Sequence, residues 1–407
     1  MRGEMRVLVR ADGSLRQIAA LEGSRLMEYT EQTGDSGSQV GAVLLGRVER
    51  VLPPVGAAFV NLGQPLNGFL PLKEMESFEK SGHIAPLVTG REALVQVKKD
   101  AKDGKGAFLT RDIGLPGLYS VWMPLNRHVG VSGRVKDESD RTRLVALGRK
   151  LTGGKAGVIM RHAALEARPE ELQEEISAHR ALWEEIVHKA EFARPPAVLY
   201  KEASELNALL RDHAARYSLA VFAASEDCRQ EIPADSAAFH LQSQAEMDAL
   251  WQGARVGRQV EEALGRHVAL KGGGTLVIDE REAMTTIDVN TAKFVGESGE
   301  DELSLRQNLE ACEEIARQIR LRNLGGILLI DFIDMHTDEA RGQVRQMLEQ
   351  FLALDRVKTV VHGFTSLGIL EMTRKRTRES LRGALTEPCP CCGENGRKAC
   401  KRKGAPT

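Results

Sequence analysis

The spacing of apolar and polar positions changes several times along the chain, and each change predicts an element. Residues 4–10 and 15–20 alternate on either side of "ADGS" and predict a short hairpin. From residue 37, "SGSQVGAVLLGRVERVLPPVGAAFVNLGQPLNGFLPL" gives apolar segments cut by Pro and Gly turns. "EALVQVKKDAKDGKGAFLTRDI" adds two strands joined at Asp103-Gly104-Lys105-Gly106. Five short strands over about 75 residues predict a small oligonucleotide-binding-type barrel. Helical spacing follows at 169–190, near 204–215 and over 242–264, the last as one long helix, with "SLAVFAAS" a strand among them.

Beyond "KGGG" the strands "TLVID" and "AMTTIDVN" join through Glu280-Arg281. A helix from about residue 303 to 322 carries Leu305, Leu309, Cys312, Ala316 and Ile319 on one face. Gly325-Gly326 stops it, the apolar run Ile327 to Ile330 reads as a buried strand, and Thr337 is placed to N-cap the next helix. Asp331 and Asp334 follow that strand at the mouth of the core, where an unpaired carboxylate is costly. Either they cap a turn or they hold something positive.

Composition leaves a soluble globular class: 407 residues, 42% apolar, 28% charged, net charge −1. The charge is uneven. Residues 163–190 hold seven acids against three Arg/Lys, whereas residues 356–403 hold twelve Arg/Lys against four acids, which points to a polyanion near the C-terminal part. The start lacks the apolar core of a secretory signal, and no run reaches the ~20 apolar residues of a membrane helix, so a cytoplasmic chain is expected. Six cysteines are too few for a disulfide framework in a chain of this length. Cys389, Cys391, Cys392 and Cys400 crowd into one stretch that suits a metal in a reducing compartment.

In "TTIDVN", alternation puts Ile287 and Val289 on one face and Asp288 and Asn290 on the other. A carboxylate and an amide carbonyl so placed are hard-oxygen donors suited to Mg²⁺, which takes only one or two protein carboxylates. Asp331 meets Asp288 if the two strands are neighbours. Asp334, three residues on, faces away from Asp331 in a fully extended strand and is given a supporting role. On spacing alone these acids could equally satisfy loop amides, and Phe59 and Phe69 read first as barrel core, although Asn67-Gly68 reads as a turn that leaves Phe69 near the surface.

"GGTLVIDEREAMTTIDVNTAKFVG", "NLEACEEIARQIRLRNLGGILLIDFIDM" and "GILEMTRKR", with "GAAFVNLGQPLNGFLPLKE" before them and "CPCCGENG" after, resemble the bacterial ribonuclease E/G family over about residues 1–396. The resemblance implies a multidomain α/β chain: an RNase H-like domain (1–36 and 208–256) interrupted by an S1 (OB-fold) barrel (37–112) and a 5′-sensor-like segment (113–207), then a DNase I-like catalytic domain (257–384), a zinc link (385–397) and a basic tail (398–407). It implies a Mg²⁺-dependent endoribonuclease that cuts single-stranded RNA to 5′-phosphate and 3′-hydroxyl ends, in rRNA processing or mRNA turnover. Asp288 and Asp331 would bind the metal, with Asn290 assisting. Phe59, Phe69, Lys99, Lys105 and Lys358 would hold RNA. A pocket for a 5′-monophosphate would use Arg161 and the backbone at Val121, but His162 stands where the family has threonine, and an imidazole there either donates one hydrogen bond or blocks the pocket. Cys389 and Cys392 would supply half of a structural Zn²⁺ site shared between two chains, making a homodimer. A one-chain site that adds Cys400 is the rival, and Cys391 has no assigned role. No encoded degradosome scaffold is expected.

Two other readings stay open: a catalytically silent S1-type RNA-binding protein, and a phosphodiesterase that acts mainly on DNA.

Overall fold

The computed structural model describes residues 3–12, 15–33, 39–72, 86–101, 104–201, 204–214, 216–232, 236–291, 300–389 and 393–399. The chain forms two compact units, one of Met1–Ser36, Tyr217–Gln230 and Ala237–Thr407, the other of Gly37–Arg216 and Glu231–Ser236.

In the second unit, strands Val43–Leu52, Ala57–Asn61, Gly68–Pro71, Phe108–Thr110 and Glu92–Lys99 pair in that order, and the first pairs back with the last to close a five-stranded barrel. Alternation fills it: Leu44, Val48, Ala58, Val60, Leu70, Val95, Val97 and Leu109 point in. The two turns expected at Asn67-Gly68 and around Gly104 pack on each other. A Cβ at Gly106 would lie 1.8 Å from the Asn67 carbonyl oxygen, so only glycine permits the approach. The strand Ala197–Tyr200 pairs outside Val43–Leu52, an addition the sequence reading lacked. After the barrel, a four-stranded sheet packs Trp122, Val158 and Met160 against the helices Glu138–Thr152 and Pro169–Phe192. The second helix carries the acidic run, mostly solvated. Glu175 is the exception, accepting from the Tyr119 amide (2.9 Å) and the Ser120 hydroxyl (2.7 Å).

The first unit holds two large sheets and a C-terminal two-stranded hairpin. One places the N-terminal hairpin, Gly3–Asp12 and Leu15–Glu22, beside Tyr217–Ala223. The segment 242–264 is two helices, not one: Gln244–Gly253 ends at Ala254, and Arg255 takes φ 51° before Val256–Leu264 begins. The left-handed residue breaks the helical ladder, and each half buries its own apolar stripe.

The second sheet has six strands, with Met284–Asn290 and Gly326–Asp331 adjacent and parallel. The helix Glu300–Leu321 makes the crossover between them, and Thr337 caps Asp338–Leu352 by accepting from the Ala340 amide at 3.2 Å. These helices cover one sheet face. Ile287, Val289, Leu328, Ile330, Ala311, Cys312, Ile315, Ile319, Val344 and Leu348 form the shared core, each large side chain contributing roughly 1.5–3 kcal/mol by burial. Burial pushes the Cys312 thiol up to about 12, so it serves as packing. The crossover helix ends where Asn323 takes φ 49°, and Gly326 enters the strand at φ 100°. Arg374 and Asp355, both deeply buried, hold this end of the sheet by an ion pair at 2.6 Å.

Candidate active site and nucleic-acid face

The strand Met284–Asn290 alternates strictly, with Thr285, Ile287 and Val289 inward and Thr286, Asp288 and Asn290 outward. In the parallel ladder Asp288 is the direct register partner of Asp331, so the two carboxylates stand side by side on neighbouring strands. Asn290 donates from its side-chain nitrogen to Asp288 at 2.8 Å, which leaves the amide carbonyl as a further oxygen ligand.

Asp334 departs from the expectation of a fully extended chain. The strand stops at Asp331, and the following residues leave it. Buried Asn308, from the crossover helix, fixes this exit: it donates to the Ile333 carbonyl at 2.8 Å and accepts from the Ile333 amide at 3.0 Å. Asp334 is then close enough for its charge to act on Asp331. Desolvation first, then the charges of Asp288 and Asp334, raise the Asp331 pKa above the ordinary carboxylate value. Asn308 had no sequence signal of its own, because a buried asparagine on an amphipathic helix reads as a defect in the stripe.

The donor set fits a hard divalent cation. It is oxygen-only, it converges on one strand end, and it holds mutually repelling carboxylates that a cation would relieve. Among the described residues no group of three or more His, Cys, Asp or Glu is placed to hold a metal, so the set is two adjacent carboxylates plus an amide. Residues 292–299, next to Asn290, lie outside the described residues.

Lys358 is not brought to these acids. It precedes the strand Thr359–Phe364, whose first residue aligns through Arg374 with Gly326, the opposite end of the strand that finishes at Asp331. Five residues of strand, about 17 Å, separate the two ends.

On the barrel, Phe59 and Phe69 are register partners on neighbouring strands, both half-buried, with ring centroids 6.0 Å apart and nearly perpendicular. Lys105 is exposed in the turn that Gly106 presses onto Asn67, and Phe69 is tied to that turn through its amide and the Ala107 carbonyl (2.7 Å). Lys99 is exposed on the closing strand, its ammonium 5.6 Å from the ring of Phe108. Phe108 lacks a flanking turn signal such as Asn67-Gly68, although alternation with the buried Ala107 and Leu109 turns it outward.

Val121, Arg161 and His162 lie together in the same unit. Val121 pairs with Ile159, and the Arg161 amide donates to the Tyr119 carbonyl at 2.7 Å. The Arg161 guanidinium donates to the Gly117 carbonyl (2.7 Å) and to Asp212 (2.6 Å). Partial burial, then the positive charges of Arg216 and Arg134, push the His162 pKa below 6.5. Arg134 and Arg216 were missed because nothing local links them to residue 162.

Of the zinc-link cysteines, Cys391, Cys392 and Cys400 and the side chain of Cys389 lie outside the described residues, as do residues 400–407 of the basic tail. The backbone forms a hairpin of Thr386–Cys389 and Gly393–Ala399. No helix among the described residues is long and apolar enough to cross a membrane.

A closed five-stranded barrel together with mixed α/β sheets, one of them carrying paired carboxylates at a strand end, defines the class as mixed α/β. A family model described as "Ribonuclease E/G family" matches residues 114–377. The chain is 38% identical to ribonuclease G of Escherichia coli K12, over 96% of this chain and 83% of that protein. It is 38% identical to ribonuclease G of Haemophilus influenzae, over 94% and 81%. It is 34% identical to ribonuclease E of a Nostoc species, over 93% of this chain but 57% of that longer protein. The chain belongs to the ribonuclease E/G family and is an enzyme.

Proposed function

We propose that this protein is an endoribonuclease that hydrolyses phosphodiester bonds in single-stranded RNA with Mg²⁺, leaving a 5′-phosphate and a 3′-hydroxyl. The observation that carries the reading is the register pairing of Asp288 with Asp331, with Asn290 bonded to Asp288. Asp288 and Asp331 would hold the ion, and the Asn290 amide would fix the Asp288 carboxylate. When bound, Mg²⁺ supplies charge neutralisation at the scissile phosphate and a lowered pKa for the attacking water. The chain's own part is to hold the carboxylates in place. Asn308 fixes the turn that carries Asp334, and the alternation of Met284–Asn290 keeps Ile287 and Val289 in the core, so the strand cannot roll.

The same reading assigns Phe59 and Phe69 as sequence-tolerant platforms for unpaired bases, with Lys99, Lys105 and Lys358 as phosphate contacts. It assigns Val121, Arg161 and His162 to a 5′-phosphate pocket, and Cys389 with Cys392 to a Zn²⁺ shared by two chains of a cytoplasmic homodimer. The domain boundaries given by the resemblance belong to this proposal, as do targets in rRNA processing or mRNA turnover. An end-labelled, A/U-rich RNA without secondary structure tests it. Internal cuts that need Mg²⁺, carry the stated ends and vanish in Asp288→Asn are expected. Tight binding without cleavage under any divalent metal would favour a catalytically silent RNA-binding protein instead. Equal cutting of a strand with 2′-deoxy at the scissile position would favour the DNA-directed alternative.

A further inference from the structure

Three of the chain's eleven phenylalanines form one row on the outside of the barrel. Phe59 is the register partner of Phe69, and Phe69 is the partner of Phe108 on the next strand. Both centroid separations are short, 6.0 Å and 5.7 Å. All three rings are half-buried, while their chain neighbours Ala58, Val60, Leu70, Ala107 and Leu109 are buried in the barrel. Cations close both ends of the row. Arg50 is the register partner of Phe59, and Lys99 is the partner of Phe108; both are exposed. At each of these positions the ladder shifts register, between Val48 and Arg50 and between Val97 and Lys99. A bulge re-aims the side chain that follows it. The buried Val48 and Val97 are thus followed by exposed cations. The order across five strands is Arg50, Phe59, Phe69, Phe108, Lys99.

We propose that Phe108 is a third base-stacking platform, so that the barrel holds three consecutive unpaired bases of an RNA strand crossing its strands, with Arg50 and Lys99 gripping phosphate at the two ends. Packing explains two edge-to-face rings but does not explain why the row continues to a third half-exposed ring and ends in a cation on each side. Stacking accepts every base because each has a π-face, so the row selects for unpaired nucleotides and not for sequence. Lys99 lies over Phe108 when no base is there. Its contact is exposed, and its flexible stem lets the ammonium move to a phosphate as a base takes the ring. The inference rests on the reading of the barrel as the RNA-binding face.

The test counts bases. Labelled oligoribonucleotides carry one, two, three or four contiguous bases flanked by abasic residues, and binding to the full chain is measured without divalent metal. Affinity should rise roughly 5- to 100-fold with each base up to the third and then level off. Phe108→Leu, which keeps apolar volume, should level off at the second base, and Phe108→Tyr should behave as the parent. A parent that levels off at two bases, or a Phe108→Leu chain that still gains from the third, overturns the proposal. Failure of the wider reading looks different: no gain from any base, and no loss in Phe59→Leu, would remove RNA from this face altogether.

Discussion

Asn308 grips Ile333 with both ends of its amide, donating to the carbonyl at 2.8 Å and accepting from the backbone amide at 3.0 Å. This one buried side chain determines where the chain goes after Asp331, and so where Asp334 lies. Replacing it with alanine leaves two partly buried backbone groups without this partner, each costing up to roughly 1–3 kcal/mol. Asn308→Ala should therefore lose about 2–4 kcal/mol in urea unfolding. Because its effect on chemistry is through placement, kcat should fall roughly 10²-fold while RNA affinity without metal stays unchanged. An unchanged kcat would mean that the 332–334 turn does not position the acids.

Asp288→Asn and Asp331→Asn separate charge from shape. Each should lower cleavage roughly 10²–10³-fold, as removal of a preorganised electrostatic contact does. Neither should destabilise the fold. Asp331 has its pKa raised by desolvation and by Asp288 and Asp334. The native state therefore holds that proton more tightly than the unfolded chain, and this contribution is present at low pH and lost as pH rises through the folded pKa. At neutral pH the asparagine removes a repulsion. Mg²⁺ at a hundredfold excess over Kd should stabilise the parent by about 2.7 kcal/mol, seen as a raised melting temperature, and leave a chain carrying both Asp288→Asn and Asp331→Asn unmoved. A melting temperature that ignores Mg²⁺ in the parent would remove the proposed metal site.

Much of this was legible in the sequence, for local reasons. Strand alternation alone separated Asp288 and Asn290 from Ile287 and Val289, and the turn chemistry at Asn67-Gly68 and Gly104 announced the barrel. What could not be read was non-local. The adjacency of Asp288 and Asp331 depends on two strands joined through a 22-residue helix pairing in one register. Phe108, Arg134, Arg216 and Asn308 act through residues distant in sequence, where no period connects them. The break in 242–264 was invisible because both halves keep helical spacing and the discontinuity lies in the backbone of Arg255.

Gly106 offers a test of the barrel that leaves every proposed RNA-contacting side chain chemically unchanged. Its missing Cβ lets the Lys105 turn press on the Asn67 carbonyl, where any side chain would overlap backbone. Gly106→Ala should cost about 1–3 kcal/mol by overpacking and should part Lys105 from Phe69. Affinity for single-stranded RNA should fall with it, whereas Gly104→Ala, in open space but at φ 72°, should destabilise through backbone strain alone. Equal affinity in Gly106→Ala and the parent would dissociate Lys105 from the binding face.

The proposed 5′-phosphate pocket places His162 beside Arg161, and pH is the handle that tests its role. Burial, Arg216 and Arg134 hold its pKa below 6.5, so the ring is neutral at pH 7.5 and offers a single N–H. Protonation at lower pH adds a charge and a second donor beside Arg161. The preference for 5′-monophosphate over 5′-hydroxyl RNA should therefore be small at pH 8 and grow as pH falls below 6.5. The terminal phosphate itself loses charge near pH ~6, which works in the opposite direction. His162→Thr carries the phosphate titration without the imidazole. Its hydroxyl donates at every pH, so its preference should exceed that of the parent at pH 8 and decline towards pH 6. Parent and variant ratios of cleavage rate, measured across that range on matched RNAs, check the sign. Profiles that coincide would show that the pocket does not act on the 5′ end. Crossing profiles would make residue 162 the switch.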